Sequence, residues 1–172
     1  MSLRVHLAHL YPEVRAYARS LARDGAAAED LAGDAMVRAL SHPTAPDEEA
    51  RLRPWLLRTV RNLYIDRWRA ERVRREHAAM EYAGAADRVS GEGFAGAEDD
   101  ALGRMAFARL SARHREVLVL VDVLGHSYAE AAALIGVPRG TIMSRVARAR
   151  AAMTGHVLGE PDDDDEGCGD GG

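Results

Sequence analysis

Apolar residues recur three and four positions apart along most of this chain, the period of an α-helix with one buried face. Leu3, Leu7, Leu10, Val14, Tyr17 and Leu21 form the first such stripe. Pro12 lies inside it and predicts a kink or a restart, and Asp24-Gly25 ends it. A second helix is predicted over about 27–40, with Leu31, Ala35 and Ala39 inward and Glu29, Asp30, Asp34 and Arg38 outward. After a loop at 42–46 that holds Pro43 and Pro46, a third runs over about 49–77 on Leu52, Leu56, Val60 and Leu63. Further helices are predicted over 105–110 and 111–125, the latter N-capped by Ser111. No stretch alternates apolar and polar residues with β-branched enrichment, so no strand is predicted.

The segment SYAEAAALIGVPRGTIMSRVARARAAM, 127–153, has a pattern of its own. An alanine-rich helix over 128–135 is broken by Gly136, and Val137-Pro138 make a turn into a second helix over about 139–153. Counting from Tyr128, a small residue falls fifth (Ala132), glycine ninth (Gly136) and a β-branched apolar residue fifteenth (Ile142). Two helices crossing steeply need close approach, a sharp turn and a shared core contact at those places, so the segment reads as a helix-turn-helix. Ile142, Val146 and Ala149 share one face of the second helix, while Arg139, Arg145, Arg148 and Arg150 lie elsewhere on it. One buried stripe and an otherwise basic surface suit the major groove of DNA.

The pattern predicts an all-α chain of two small helical domains joined by a flexible linker, the C-terminal one containing the helix-turn-helix. The N-terminal domain spans 1–80. Residues 81–100 are rich in glycine, alanine and acid and read as the linker, with a short helix starting at Glu98. The C-terminal domain spans 101–158, and 159–172 read as a disordered acidic tail.

Charge sharpens this picture. The net charge of −4 hides a segregation: the tail from Glu160 on carries acids and no basic residue, whereas residues 51–76 hold nine arginines against Asp66, Glu71 and Glu76. All 23 basic residues are arginine, which excludes a phosphate-loop or Schiff-base lysine. The single cysteine, Cys168, excludes an internal disulfide and a cysteine metal cluster. There is no apolar run near membrane-spanning length and no signal-peptide pattern, so a cytoplasmic protein without membrane insertion is expected.

RPWLLRTVRNLYIDRWRAERVRR, 53–75, interleaves Trp55, Tyr64 and Trp68 with arginines. Arginines track phosphates and aromatic faces accept unstacked bases, the combination that melted DNA needs. For Trp55 a place in the core beside Leu52 and Leu56 is the competing reading, and for Trp68 the two readings stand level.

GVPRGTIMSRVARAR, together with the preceding LSARHREVLVLVDVLGHSYAEAAALI, resembles the C-terminal DNA-binding domain of bacterial sigma factors of the extracytoplasmic-function group within the sigma-70 family. AAEDLAGDAMVRAL resembles the helix by which those proteins grip core RNA polymerase, and WLLRTVRNLYIDRWR their segment that melts and reads the −10 element. The resemblance covers roughly 5–75 and 100–153. Where the family commonly has glutamine then glutamate, this chain has Gly33 and Asp34.

The resemblance implies a sigma factor that directs promoter recognition, melting and initiation at stress- or signal-responsive promoters. Its partners would be core RNA polymerase, through the beta-prime clamp helices and the beta flap, promoter DNA, and an anti-sigma factor. Asp30, Leu31, Asp34 and Arg38 would face polymerase. Arg58, Arg61, Asn62, Asp66, Arg67, Trp68 and Arg69 would meet the −10 strand. Tyr128, Arg139, Thr141, Met143, Ser144, Arg145 and Arg148 would meet the −35 duplex, with Thr141 equally placed to cap the helix locally. A free-standing helix-turn-helix regulator is the alternative.

No enzyme, cofactor or metal is expected. The seven histidines show no ligand spacing with acids, His6 and His9 read as a solvated pair, and no serine sits in a nucleophile elbow. The tail reads either as a solubilising end or as a competitor in which Asp162–Glu166 damp DNA binding by the free protein. The second reading fails if deleting 160–172 leaves promoter affinity unchanged at low salt.

Overall fold

The structure, a computed structural model, describes residues 2–22, 24–81 and 101–158, with the backbone alone at 78–81 and 101. Among these are seven α-helices and no strand: α1 (Leu3–Leu21), α2 (Gly25–Ser41), α3 (Glu49–Glu81), α4 (Ala101–Arg109), α5 (Ala112–Leu118), α6 (Tyr128–Ile135) and α7 (Arg139–Leu158). Apart from Glu81, the linker read at 81–100 lies outside the described residues, as do the helix start at Glu98 and the acidic tail.

The predicted stripes are the cores. In the N-terminal unit Leu7, Leu10, Val14, Tyr17 and Leu21 of α1 are buried against Leu31, Ala35 and Ala39 of α2 and Leu52, Leu56 and Val60 of α3. α1 runs unbroken through Pro12, so neither a restart nor a break occurs there. Asp24 does not close α1; its side chain accepts a hydrogen bond from the Ala27 N–H at 2.7 Å and opens α2 as an N-cap. His6 and His9 are not simply solvated. His6 Nδ1 lies 2.8 Å from the Asp47 carbonyl and His9 Nδ1 2.8 Å from Glu49, and both tie α1 to the start of α3.

The helix expected over 111–125 is two elements. α5, capped by Ser111, passes at Leu118 into a π-helical turn, Val119–Val123, closed by the Leu124 N–H to the Val119 carbonyl at 2.8 Å. Residues 115–120 are buried in succession, Arg115 to Leu118 of them still in α5, because that helix is covered by α1 on one side and α7 on the other. Gly125, at φ 70°, then turns the chain.

The helix-turn-helix forms as its residues predict. Ser127 and Glu130 make a reciprocal capping box at the start of α6. Gly136 ends that helix at φ 81° and ψ 37°, and its N–H reaches the Ala132 carbonyl at 2.8 Å. Ile142, Val146 and Ala149 of α7 are fully buried. α7 itself continues past the expected end to Leu158.

The two units also pack on each other: α1 meets α5 and the π turn, α3 meets α6, and one apolar cluster runs through both.

Candidate nucleic-acid interface

α3 is long because one helix serves two environments. Its first half is anchored by Leu52, Leu56, Leu57 and Val60, all fully buried. Beyond Ile65 nearly every residue is exposed, so the second half projects an arginine-rich surface. Asn62 and Asp66, one turn apart, share a cleft of about 480 Å³ with Arg38, Trp55, Arg58 and Arg69. Asn62, Asp66, Arg69 and Arg38 have no partner among the described residues. Trp55 does both things the sequence left open: it packs on the core, and its ring lines the cleft edge-on to His42 at 5.9 Å. The Thr44 N–H donates to His42 Nδ1 at 3.3 Å.

Trp68 lies on the other side of α3 and is half exposed, with the Arg72 guanidinium 5.7 Å over its ring. It borders a groove of about 450 Å³ between the units, lined also by Tyr64, Arg69, Arg113 and Glu116. Arg58, Arg61 and Arg67 are engaged within the chain. Arg58 donates to the Ala133 carbonyl at 3.2 Å, Arg61 to Glu116 at 3.0 Å and Arg67 to Asp34 at 2.5 Å.

On α7 the buried stripe turns Arg139, Met143, Ser144 and Arg148 outward, with Arg145 and Thr141 half-buried beside them. The Thr141 N–H bonds the Pro138 carbonyl at 3.0 Å, and the Thr141 carbonyl accepts from the Ser144 hydroxyl at 3.0 Å; its own hydroxyl caps nothing among the described residues. Tyr128 stands beside Arg139 in a shallow concavity. Arg150 is different. It makes two hydrogen bonds to Asp122, at 2.6 and 3.2 Å, that hold α7 to the π turn, and this carboxylate raises its pKa.

On α2, Asp30, Asp34 and Arg38 are exposed, but Leu31 is 1% exposed. Leu31 belongs to the core, so the expectation that it faces a partner is corrected: spacing of three and four from Ala28 and Ala35 puts it on the inner stripe. Arg38 lines the same cleft as Asn62 and Asp66. Sequence reasoning missed Val37 and Leu40, exposed apolar residues that flank the acidic stripe, and His42 and Thr59 in the cleft. Val37 was legible, since it follows Asp30 and Asp34 on the same helical face.

Residues 7–74 match the family model described as Sigma-70 region 2, and residues 104–153 match Sigma-70, region 4. The chain belongs to the sigma-70 family, among the extracytoplasmic-function sigma factors. It is 35% identical over 153 residues to the ECF RNA polymerase sigma factor EcfG of Rhodopseudomonas palustris, covering 89% of this chain and 83% of that one. It is 34% identical over 138 residues to SigL of Mycobacterium tuberculosis, with 80% and 78% covered. Among solved structures it is similar to the sigma factor RpoE of Bartonella quintana, crystallised with the anti-sigma factor NepR, at a TM-score of 0.70 and 30% identity over 91% of this chain and 96% of that one. CnrH, solved with the cytosolic domain of CnrY, shares the fold at a TM-score of 0.60 and 23% identity, covering 92% of this chain and 89% of that one.

This sigma factor therefore directs promoter-specific transcription, and the free-standing regulator is not favoured. Its relatives are sigma factors, which are not enzymes. Among the described residues no helix is long and apolar enough to cross a membrane.

Proposed function

We propose that this cytoplasmic sigma factor divides its work between residues 1–80 and 101–158. The first unit holds core polymerase on α2 and the −10 strand on α3; the second holds the −35 duplex on α7. The reading is carried by one observation: two arginine-bearing helical faces, each mounted on its own buried stripe, stand in one chain.

On α2, Asp30 and Asp34 with Val37 offer a mixed acidic and apolar stripe to the clamp helices of the beta-prime subunit. The exposed α4 residues Leu102 and Met105 offer an apolar contact to the beta flap. On α3 the cleft beside Trp55 receives unstacked bases of the −10 strand, since it combines an aromatic wall with Asn62 and Asp66 to hydrogen-bond base edges and arginines for flanking phosphates. On α7, Arg139, Arg145 and Arg148, with Thr141, Met143, Ser144 and the nearby Tyr128, enter the major groove. An anti-sigma factor holds the protein inactive until a stress or other signal releases it.

Run-off transcription tests the reading. Core polymerase with and without the protein is given a pool of genomic promoter fragments. Discrete transcripts that need the protein are expected, and alignment upstream of their starts gives both elements. No such transcripts, with tight duplex binding in the absence of polymerase, would overturn it.

A further inference from the structure

The groove of about 450 Å³ between the two units has the size of a small-molecule pocket, and its lining is of three kinds. Tyr64 and Trp68 bring aromatic rings to it, beside the apolar side chains of Leu21 and Ile65. Glu116 brings a carboxylate that is only 5% exposed. The Tyr17 hydroxyl donates to its Oε1 at 2.8 Å, and Arg61 Nε donates to the same oxygen at 3.0 Å. Oε2 accepts no hydrogen bond among the described residues. A carboxylate has about four lone-pair sites, so this one still has room for donors that enter the groove. The third kind is cationic. Arg69 of α3 and Arg113 of α5 are exposed and have no hydrogen-bond or ion-pair partner among the described residues.

A guanine nucleotide carries the complement of all three. Its base is a flat ring that aromatic faces accept. The edge of guanine holds N1–H and the N2 amino group side by side, two donors for one carboxylate. Adenine sets its amino group beside the N1 lone pair, which a carboxylate repels. Two free guanidiniums suit two phosphoryl groups, each in the forked geometry that arginine favours. The spacing agrees: Arg61, which holds Glu116, and Arg69 are eight residues apart on α3, or about 12 Å along its axis, which a nucleoside diphosphate spans.

We propose that this groove binds a free guanine nucleotide with at least two phosphoryl groups, its base on Glu116 and its phosphates on Arg69 and Arg113. Arg69 also lines the cleft that holds Asn62 and Asp66, so the nucleotide and the −10 strand compete for it. That consequence rests on the reading that α3 meets the −10 strand; the site itself does not.

The test titrates the full chain into GDP labelled on its ribose with a fluorophore and reads polarisation, with neither polymerase nor promoter present. Unlabelled GDP, ADP, pyrophosphate and a short guanine-containing single strand then compete. Saturable binding is expected, with GDP at least about tenfold more effective than ADP or pyrophosphate, because a site built around donors rejects an analogue that lacks them. Arg69→Ala and Arg113→Ala, at exposed positions, are each expected to weaken GDP at least about fivefold. Glu116→Gln exchanges one acceptor for an amide donor. It is expected to reduce the preference for GDP over ADP, a change of selectivity that a purely structural role does not produce. If circular dichroism shows that variant to be misfolded, the two arginine variants carry the test. No saturable binding up to about 1 mM overturns the proposal. So does displacement by ADP or pyrophosphate equal to that by GDP, which marks an arginine surface only. A single strand that competes better than GDP assigns the groove to DNA and overturns it too, as do arginine variants that bind like wild type. Because the titration needs no promoter, its failure and the failure of run-off transcription are distinguishable.

Discussion

Asp34 of α2 and Arg67 of α3 form an ion pair 2.5 Å long, although the family resemblance implies polymerase for one and DNA for the other. Both side chains are about half exposed, so the pair contributes between roughly 0 and 1 kcal/mol to stability. Asp34→Ala is therefore expected to shift the urea midpoint only slightly while weakening core binding in a polarisation titration severalfold. A large loss of stability with unchanged core affinity would make Asp34 a scaffold residue instead.

Gly33 lies inside α2 with open space where a Cβ would stand. No close internal approach requires it. Gly33→Ala should raise stability by about 0.5–1 kcal/mol from helix propensity. Core affinity measured alongside then decides whether polymerase needs the flat surface: a tighter or equal complex says no, and a weaker one says that the glycine serves the partner.

Gly136 is a different case. Its φ of 81° is a conformation that an L side chain adopts at a cost, so Gly136→Ala is expected to destabilise by about 1–2 kcal/mol even though no atom crowds the site. Ile142→Ala, which empties fully buried volume on the inner face of α7, is expected to cost about 2–5 kcal/mol. Thermal unfolding of both variants checks this; a neutral Ile142→Ala would show that α7 is not held by that stripe.

Arginine substitutions on α7 should sort by role. Replacing a base-reading arginine costs about 1–3 kcal/mol and relaxes preference at one −35 position, whereas replacing a phosphate-binding one weakens all sequences alike and reduces the salt slope by about one unit. Arg139→Ala, Arg145→Ala and Arg148→Ala are each measured against single-base variants of the −35 element. Arg150→Ala, whose guanidinium holds Asp122, should lower stability and leave sequence preference alone.

His126 sets a pH dependence. It is buried, and its Nε2 has no hydrogen-bond partner among the described residues. Burial first, and then the nearby Arg53, lower its pKa from the usual 6.5, with Glu13 and Glu130 opposing. The folded state therefore holds it neutral while the unfolded chain protonates it. Stability is full above pH 6.5 and falls as pH drops from 6.5 through the lowered folded value. Glu130, whose pKa is lowered by its bonds with Ser127, loses its contribution only further down, below pH 4.5. Urea unfolding at pH 7.5 and 5.5 should show a loss that His126→Phe removes; an identical loss in the variant would assign it elsewhere.

Much of the scaffold was legible because periodicity reports burial directly. The α1 stripe, the Leu52–Val60 stripe and Ile142-Val146-Ala149 are all buried as spaced. The π turn was not legible, because five successive apolar residues, Val117 to Val121, fit no single period. Leu31 was misread because its resemblance to a partner-facing segment outweighed its own place on the inner stripe. The cleft escaped because it assembles Arg38 and His42 from around the loop with Trp55 and Asn62 from α3, and no local spacing encodes such proximity. The contact of Tyr17 with Glu116 spans 99 residues and leaves no trace in either segment.

The outer half of α3 has a further consequence. From Asp66 to His77 the helix has almost no buried side chain, and it is supported by i,i+4 pairs such as Arg72 with Glu76 and Arg75 with Glu71. Such pairs stabilise a helix by only about 0.2–0.5 kcal/mol each. Backbone amides here should exchange with solvent far faster than those near Val60, and clamping on nucleic acid should slow them. The surface is graded, firm at the cleft and yielding beyond it. Under the proposed reading of α3, distal contacts gain less net affinity per arginine, since each must first still the helix that carries it, and the hold on a strand is tuned from the cleft outward.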